Sequence, residues 1–477
     1  MVMKTKYILL AASLILAAAC EKPAIDISQD AVSLELSDIE KHLPYAGGEF
    51  DVSVATNCDD WDFRPGQDWI EVSASGNTLA VSVGENEEPA FRKGYVYVTV
   101  YNEDVALSDS LLIIQEGLSS LDLSAGETAN CYIVGTGSDC YFDATVKGNG
   151  NASAQGSVSN YIEKYGVGIS GAVKAELLWE ATLDGNPSDG RRIIDGYPVF
   201  CDGRIFFKTG VSEGNAVIAL KDVHGDILWS WHIWVTDAAI EDVEAGTGVV
   251  FMDRNLGAAT VEQGAIGSRG MEYQWGRKDP LLPSLMSYED CAVLGDYDYE
   301  TNNFNVGDGT GKWDYALPME HADKALGNAC MAVLNPMSFI MTNFYVEPVK
   351  PYDWFCINPD AGAFLWGDDI SMDKTIFDPC PAGYTVPSAS AWTEGDAFEP
   401  GDFGITVSGI FWPFTGYRIT YSGNHDGTDE YGYYWTRSMC PEEGSEGRSL
   451  YMQADASGME LPFEGRAMPM AVRCVKM

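Results

Sequence analysis

The chain has 477 residues and a formal net charge of −42, from 71 acidic against 29 basic side chains. Such a surface repels nucleic-acid phosphates and anionic lipid headgroups, which excludes DNA or RNA as a partner. Fifty glycines, 24 tyrosines and 13 tryptophans, with few long apolar helical runs, favour a β-rich body, and the length suits three domains of ordinary size.

Lys4 and Lys6 precede an apolar run from Tyr7 to Leu16, which ends in Ala17-Ala18-Ala19-Cys20. A charged start, a short apolar core and small residues make an export signal. The run is too short for a permanent membrane span. Cys20 stands where bacterial lipoproteins carry their acylated cysteine, so residues 1–20 read as a lipoprotein signal peptide. Ala17 departs from the Leu usual three places before that cysteine, and the competing reading is an ordinary secretory signal cut nearby. The expectation is an outer membrane lipoprotein, facing the cell exterior and touching the membrane through its lipid anchor. The other ten cysteines contain no C-x-x-C, which argues against zinc ribbons and thioredoxin-like redox motifs. An exported location permits disulfides, and spacing alone leaves their connectivity open.

Residues 21–32 are polar and read as a tether. From 33 to 117 the chain alternates: Phe50, Val52 and Val54 with Glu49, Asp51 and Ser53; Leu79, Val81 and Val83 with Ala80 and Ser82; Val96, Val98 and Val100 with Tyr95, Tyr97 and Thr99. This pattern predicts a small antiparallel β-sandwich. Gly47-Gly48, Thr56-Asn57 leading to Trp61, Trp69-Ile70 and the closing Ile114-Gln115-Glu116-Gly117 resemble a BACON domain over about 85 residues. That resemblance implies a spacer next to the anchor or a carbohydrate-binding module. Trp61 and Trp69 are read as core residues, since sandwiches bury such rings.

Residues 118–247 form a second expected β-sandwich, opened by Ala129-Asn130-Cys131-Tyr132-Ile133-Val134. Near its end, Ile227-Leu228-Trp229-Ser230-Trp231-His232-Ile233-Trp234 alternates, placing Trp229 and Trp231 on one face and Ser230 and His232 on the other. The tryptophans read as core and His232 as a hydrogen-bonded structural residue.

Residues 248–477 are mixed. Four blocks occur in order: Phe251 to Ala258, Tyr273 to Pro280, Asp378-Pro379-Cys380-Pro381-Ala382-Gly383-Tyr384, and Tyr434-Trp435-Thr436-Arg437-Ser438 with Ala471-Val472-Arg473-Cys474-Val475. The composition of 322–331 predicts a short helix, 293–315 reads as loop, and Ser388 is placed to cap a helix. The blocks resemble the Fibrobacter succinogenes major paralogous domain, although Ala391-Trp392 replaces the usual acidic residue before Trp. The resemblance implies a C-type-lectin-like fold and a disulfide between Cys380 and Cys474.

Enzyme signatures are sparse. None of the five histidines has H-E-x-x-H spacing, and the glycine clusters lack the Lys-Ser/Thr ending of a P-loop. Cys440 reads as a thiol with a structural partner. No cofactor is called for, apart from calcium as a candidate at Asp296, Asp298 and Glu300, or at Asp426, Asp429 and Glu430, where oxygen ligands alternate on a loop. Glycan binding needs a flat aromatic face beside carboxylates or amides. Two stretches offer this: Phe364 to Asp369, with Trp366, Asp368 and Asp369; and Trp412, Tyr417 and Tyr421 through Asn424, His425 and Asp426.

The expected protein is therefore multidomain and mostly β. Two N-terminal β-sandwich (Ig-like) domains precede an α+β C-type-lectin-like domain. The expected function is non-catalytic binding of a glycan or a host or surface protein ligand, in polysaccharide capture or adhesion. The alternatives are a structural subunit such as a pilus-tip component, and an enzyme on a formylglycine-generating-enzyme-like scaffold.

Overall fold

The computed structural model describes residues 32–102, 105–182, 193–283, 293–295, 314–315, 326, 328–341, 353–355, 364–369, 373–393, 397–420, 425–440 and 448–477. The signal peptide, Cys20 and nearly all of the tether lie outside them. Strands dominate the described residues, in several separate sheets.

The first unit follows its alternation. Val52 and Val54, Leu79, Val81 and Val83, and Val96 and Val98 all point inward and are buried, because a period of two sends every second side chain to one face. One sheet orders strands Leu34–Leu36, Gly48–Thr56, Thr78–Val83 and Ile70–Ser75; the other orders Glu40–Leu43, Val105–Gln115, Arg92–Asn102 and Asp60–Pro65. Trp61 and Trp69 are half-buried and pack on this core. A small cluster of Ile114, Cys201 and Phe206 joins the sandwich to the next unit, with the His42 ring 5.0 Å from that of Phe206.

The second unit also has two sheets. One contains Cys131–Val134, Ile227–Val235, Gly214–Asp222 and Ala172–Ala181; the other contains Ile194–Cys201, Arg204–Thr209, Asp139–Asp143 and Leu121–Asp122. A ten-residue helix, Gly156–Tyr165, accompanies them. Strand Ile227–Val235 is covered on both faces. Trp231 meets Phe142 of the facing sheet at 5.1 Å between centroids. On the other face, Ser230 Oγ donates to Asp279 at 2.6 Å, and Tyr273 Oη lies 3.2 Å from His232 Nδ1. Asp279 and Tyr273 belong to the C-terminal third, so residues on both sides of position 248 enter one core.

Asn130 clips the two parts together. Its Nδ2 donates to the carbonyls of Ile376 and Asp378 at 2.7 and 2.8 Å, while its Oδ1 accepts from Trp229 Nε1 at 2.9 Å. Strand Val293–Gly295 extends the Ala172–Ala181 edge, and Asp314–Tyr315 pairs with Ile340–Met341. The stretch expected as loop thus contains two short strands.

In the C-terminal third, one sheet runs Glu272–Gln274, Pro469–Ala471, Gly432–Met439, Arg448–Asp455 and Gly458–Glu460, with Phe463–Gly465 also on Arg448–Asp455. Val475–Lys476 pairs with Tyr384–Thr385, and the Cys380–Cys474 disulfide is formed just ahead of both strands. The helix Ala329–Leu334 lies later than expected. Ser388 precedes only a 3-10 turn, Ala389–Ala391, and makes no cap bond; its hydroxyl pairs with that of Ser390 at 2.7 Å. No described helix is long and apolar enough to cross a membrane.

Candidate functional site

The two tryptophans expected to present a flat face do not. Trp366 is fully buried, with its Nε1 donating to the Arg277 carbonyl at 3.1 Å and its ring 5.7 Å from that of Trp275. Trp412 lies in a second core, edge-on to Phe251 and Tyr434 at 5.4 and 5.0 Å. The Arg473 guanidinium sits over it at 4.3 Å. Burial of so large an apolar ring is worth more than its exposure, so both tryptophans are packing residues. Asp368 accepts from Gln155 Nε2 at 3.1 Å. Asp369 is exposed, 3.8 Å from the buried Arg437, where it serves as counter-charge. Tyr421, Asn424, Asp296, Asp298 and Glu300 lie outside the described residues.

What the structure does bring together is Tyr417 and Asp426, with Tyr431, Tyr433 and Tyr451, which the sequence did not single out. Tyr417–Arg418 and His425–Asp426 form a two-stranded ribbon, across which Tyr417 Oη donates to Asp426 Oδ2 at 3.1 Å. Tyr417 meets Tyr433 edge-on at 5.0 Å. Tyr433 in turn lies 5.9 Å from Tyr431 and 5.5 Å from Tyr451. Strand alternation explains the placement: Tyr434 points into the core and is fully buried, while Tyr433 on the opposite face is half-buried. Register places Gln453 beside Tyr433 and Glu460 beside Gln453, and Tyr451 Oη donates to Gln453 Oε1 at 3.1 Å. Burial, reinforced by neighbouring tyrosines and carboxylates, raises the Tyr433 and Tyr451 hydroxyls well above the ordinary tyrosine range. They are therefore neutral donors. The alternation in Tyr431-Gly432-Tyr433-Tyr434 was the signal that could have found this face.

Charged groups fasten the ribbon from beneath. Arg418 Nε is 3.6 Å from the buried Glu272 Oε2, and Arg418 Nη2 donates to the Leu282 carbonyl at 3.1 Å. Burial, then the Arg418 and Arg269 charges, holds His425 well below the ordinary histidine range, so it is neutral at 4.0 Å from Glu272. Asp429 is paired with Arg269, which removes it from the second calcium candidate. Among the described residues no group of three His, Cys, Asp or Glu side chains could hold a metal.

Other candidates are structural. A small cavity lined by Lys278, Asp279, Trp354 and Leu365, among others, leaves only about 10 Å³ for a water-sized sphere, far below the roughly 300–1,000 Å³ of ligand pockets. Its Lys278 is satisfied by Asp279 at 2.7 Å and the Ser230 carbonyl at 3.0 Å, and lies over the Trp229 ring. The sequence Gly210-Val211-Ser212-Glu213-Gly214 has the spacing of a hydrolase nucleophile elbow. It leads from strand Arg204–Thr209 into strand Gly214–Asp222, with Ser212 buried. The strand-to-helix turn that exposes such a serine is missing here. Tyr95 and Tyr97 stack on the outer face of the first sandwich, but Arg64 covers Tyr97 at 4.7 Å. Cys440, expected to be partnered, is a free and partly exposed thiol.

No family model matches the chain, and no curated protein matches it. Among solved structures, a chimeric titin Z1Z2 functionalized with a KLER peptide from decorin is 6% identical, over 18% of this chain and 98% of its own, at a TM-score of 0.15. A protein from Bacteroides thetaiotaomicron is 17% identical over 19% of this chain and 92% of its own, at 0.15. An endo-fucoidan hydrolase of glycoside hydrolase family 107 is 10% identical over 45% of this chain and 30% of its own, at 0.16. Scores this low carry no argument about function.

Proposed function

We propose that this chain is a non-catalytic binding protein displayed from the outer membrane on a lipid anchor, and that its tyrosine face in the C-terminal third holds a glycan. The observation that carries the reading is the packed set of Tyr417, Tyr431 and Tyr433, each partly exposed, with Asp426 on the Tyr417 hydroxyl and Gln453 beside Tyr433. Rings give the apolar faces of a sugar something to stack on, and carboxylate and amide oxygens accept its hydroxyls. The resemblances to BACON and to the lectin-like family support the same picture, with the N-terminal sandwich as a spacer. The test is a panel of polysaccharides and mucin glycans probed with the full chain and its Tyr433→Ala variant. Binding by the parent, weakened about tenfold or more in the variant, supports the reading; a panel bound by neither contradicts it.

A further inference from the structure

We infer that the tyrosine face selects its glycan by charge, accepting uncharged polysaccharide and turning away sulfated, sialylated or uronate-bearing chains. The inference rests on the glycan reading above and deepens it.

The argument is one of placement. Tyr433, Gln453 and Glu460 stand in a row across three neighbouring strands, on one face of the sheet. Asp455 lies two residues along from Gln453 and so on that same face. Asp426 borders the row from the ribbon, through the Tyr417 hydroxyl. Glu460 and Asp426 are exposed and Asp455 is partly so. Among the described residues, the nearby cations are engaged elsewhere. Arg269 is paired with Asp429 and Arg418 lies beside Glu272, both guanidinium groups largely buried. Arg448 alternates to the opposite face of its strand, over the Phe463 ring.

Strands lie about 4.8 Å apart, so a ligand stacked on Tyr433 comes within roughly 10 Å of three carboxylates. That is about one Debye length at physiological salt. Each carboxylate adds a modest repulsion toward an anionic ligand at this separation, and the three together amount to about tenfold in affinity at low ionic strength. The same oxygens accept hydrogen bonds from neutral hydroxyls, so a sugar without acidic groups meets acceptors and no opposing charge.

The experiment titrates the full chain with a neutral polysaccharide that it binds, such as dextran or laminarin, and with the sulfated form of the same backbone, at 20 mM and 500 mM NaCl. The expected result is about tenfold weaker binding of the sulfated form at low salt, a gap that shrinks at high salt. The gap should also shrink in Asp426→Asn/Asp455→Asn/Glu460→Gln, which keeps the amide oxygens as acceptors. Glu460→Gln alone, at an exposed position, serves if the triple variant does not fold. Equal or tighter binding of the sulfated form, with the neutral form also bound, overturns the charge inference while leaving the glycan reading standing. Binding of no polysaccharide of either kind overturns both.

Discussion

Tyr417 and Tyr433 meet edge-on, centroids 5.0 Å apart and planes at 76°, although they arise from different sheets. Their contact holds the Tyr417–Arg418 ribbon against strand Gly432–Met439. Removing the Tyr433 ring therefore takes away both a stacking surface and a support. Tyr433→Ala is expected to cost about 1–3 kcal/mol of glycan affinity, within the range usual for a hot-spot aromatic. A binding isotherm at constant temperature checks this.

Trp412→Ala should behave differently. Its ring is buried among Phe251, Trp392 and Tyr434, under Arg473. Truncation leaves a cavity and an uncovered buried cation, costing about 3–5 kcal/mol of stability. Urea unfolding should show that loss, while any folded fraction keeps the affinity of the parent.

His232 makes stability depend on pH. Burial lowers it from 6.5 to about 3. Above pH 6.5 the ring is neutral whether the chain is folded or unfolded, and its full contribution is present. Below that, the unfolded chain gains a proton that the folded one refuses, so stability falls until about pH 3. Between pH 7 and pH 4 this group alone accounts for about 3 kcal/mol. His232→Asn is expected to be less stable at pH 7 and to lose less on acidification. Unfolding curves at both pH values in the two proteins measure the difference.

The Cys380–Cys474 bond closes 94 residues of sequence and ties the Tyr384–Thr385 strand to the last strand. Cys380→Ala/Cys474→Ala should lower stability by about 4–5 kcal/mol on the chain-entropy model. Denaturation with and without reductant tests it: the parent should fall to the level of the variant when reduced.

Local alternation made much of the fold legible. Val52, Val54, Leu79, Val81 and Val83 lie inside as their period of two requires. His232 is hydrogen-bonded to Asn215 at 2.7 Å, as expected of a structural histidine, and the disulfide implied by family resemblance is present. Long-range packing was not legible. Trp366 beside Gly367 and Asp368 looks like an exposed platform in sequence, yet its ring is fixed by Trp275 and the Arg277 carbonyl, far off in the chain. Tyr433 sits beside buried Tyr434 and Trp435, and only the sheet register reveals which of them faces outward. Nor could any local pattern show that Asn130 would bond to Ile376 and Asp378 and draw two units into one core.

The most direct measurement is a calorimetric titration of the full chain with a polysaccharide identified on the panel, set against Tyr417→Ala/Tyr433→Ala. The account predicts affinity at least about tenfold weaker in the double variant, measured at a temperature where circular dichroism shows that variant still folded. Unchanged affinity in a folded double variant would place the ligand elsewhere and contradict the account.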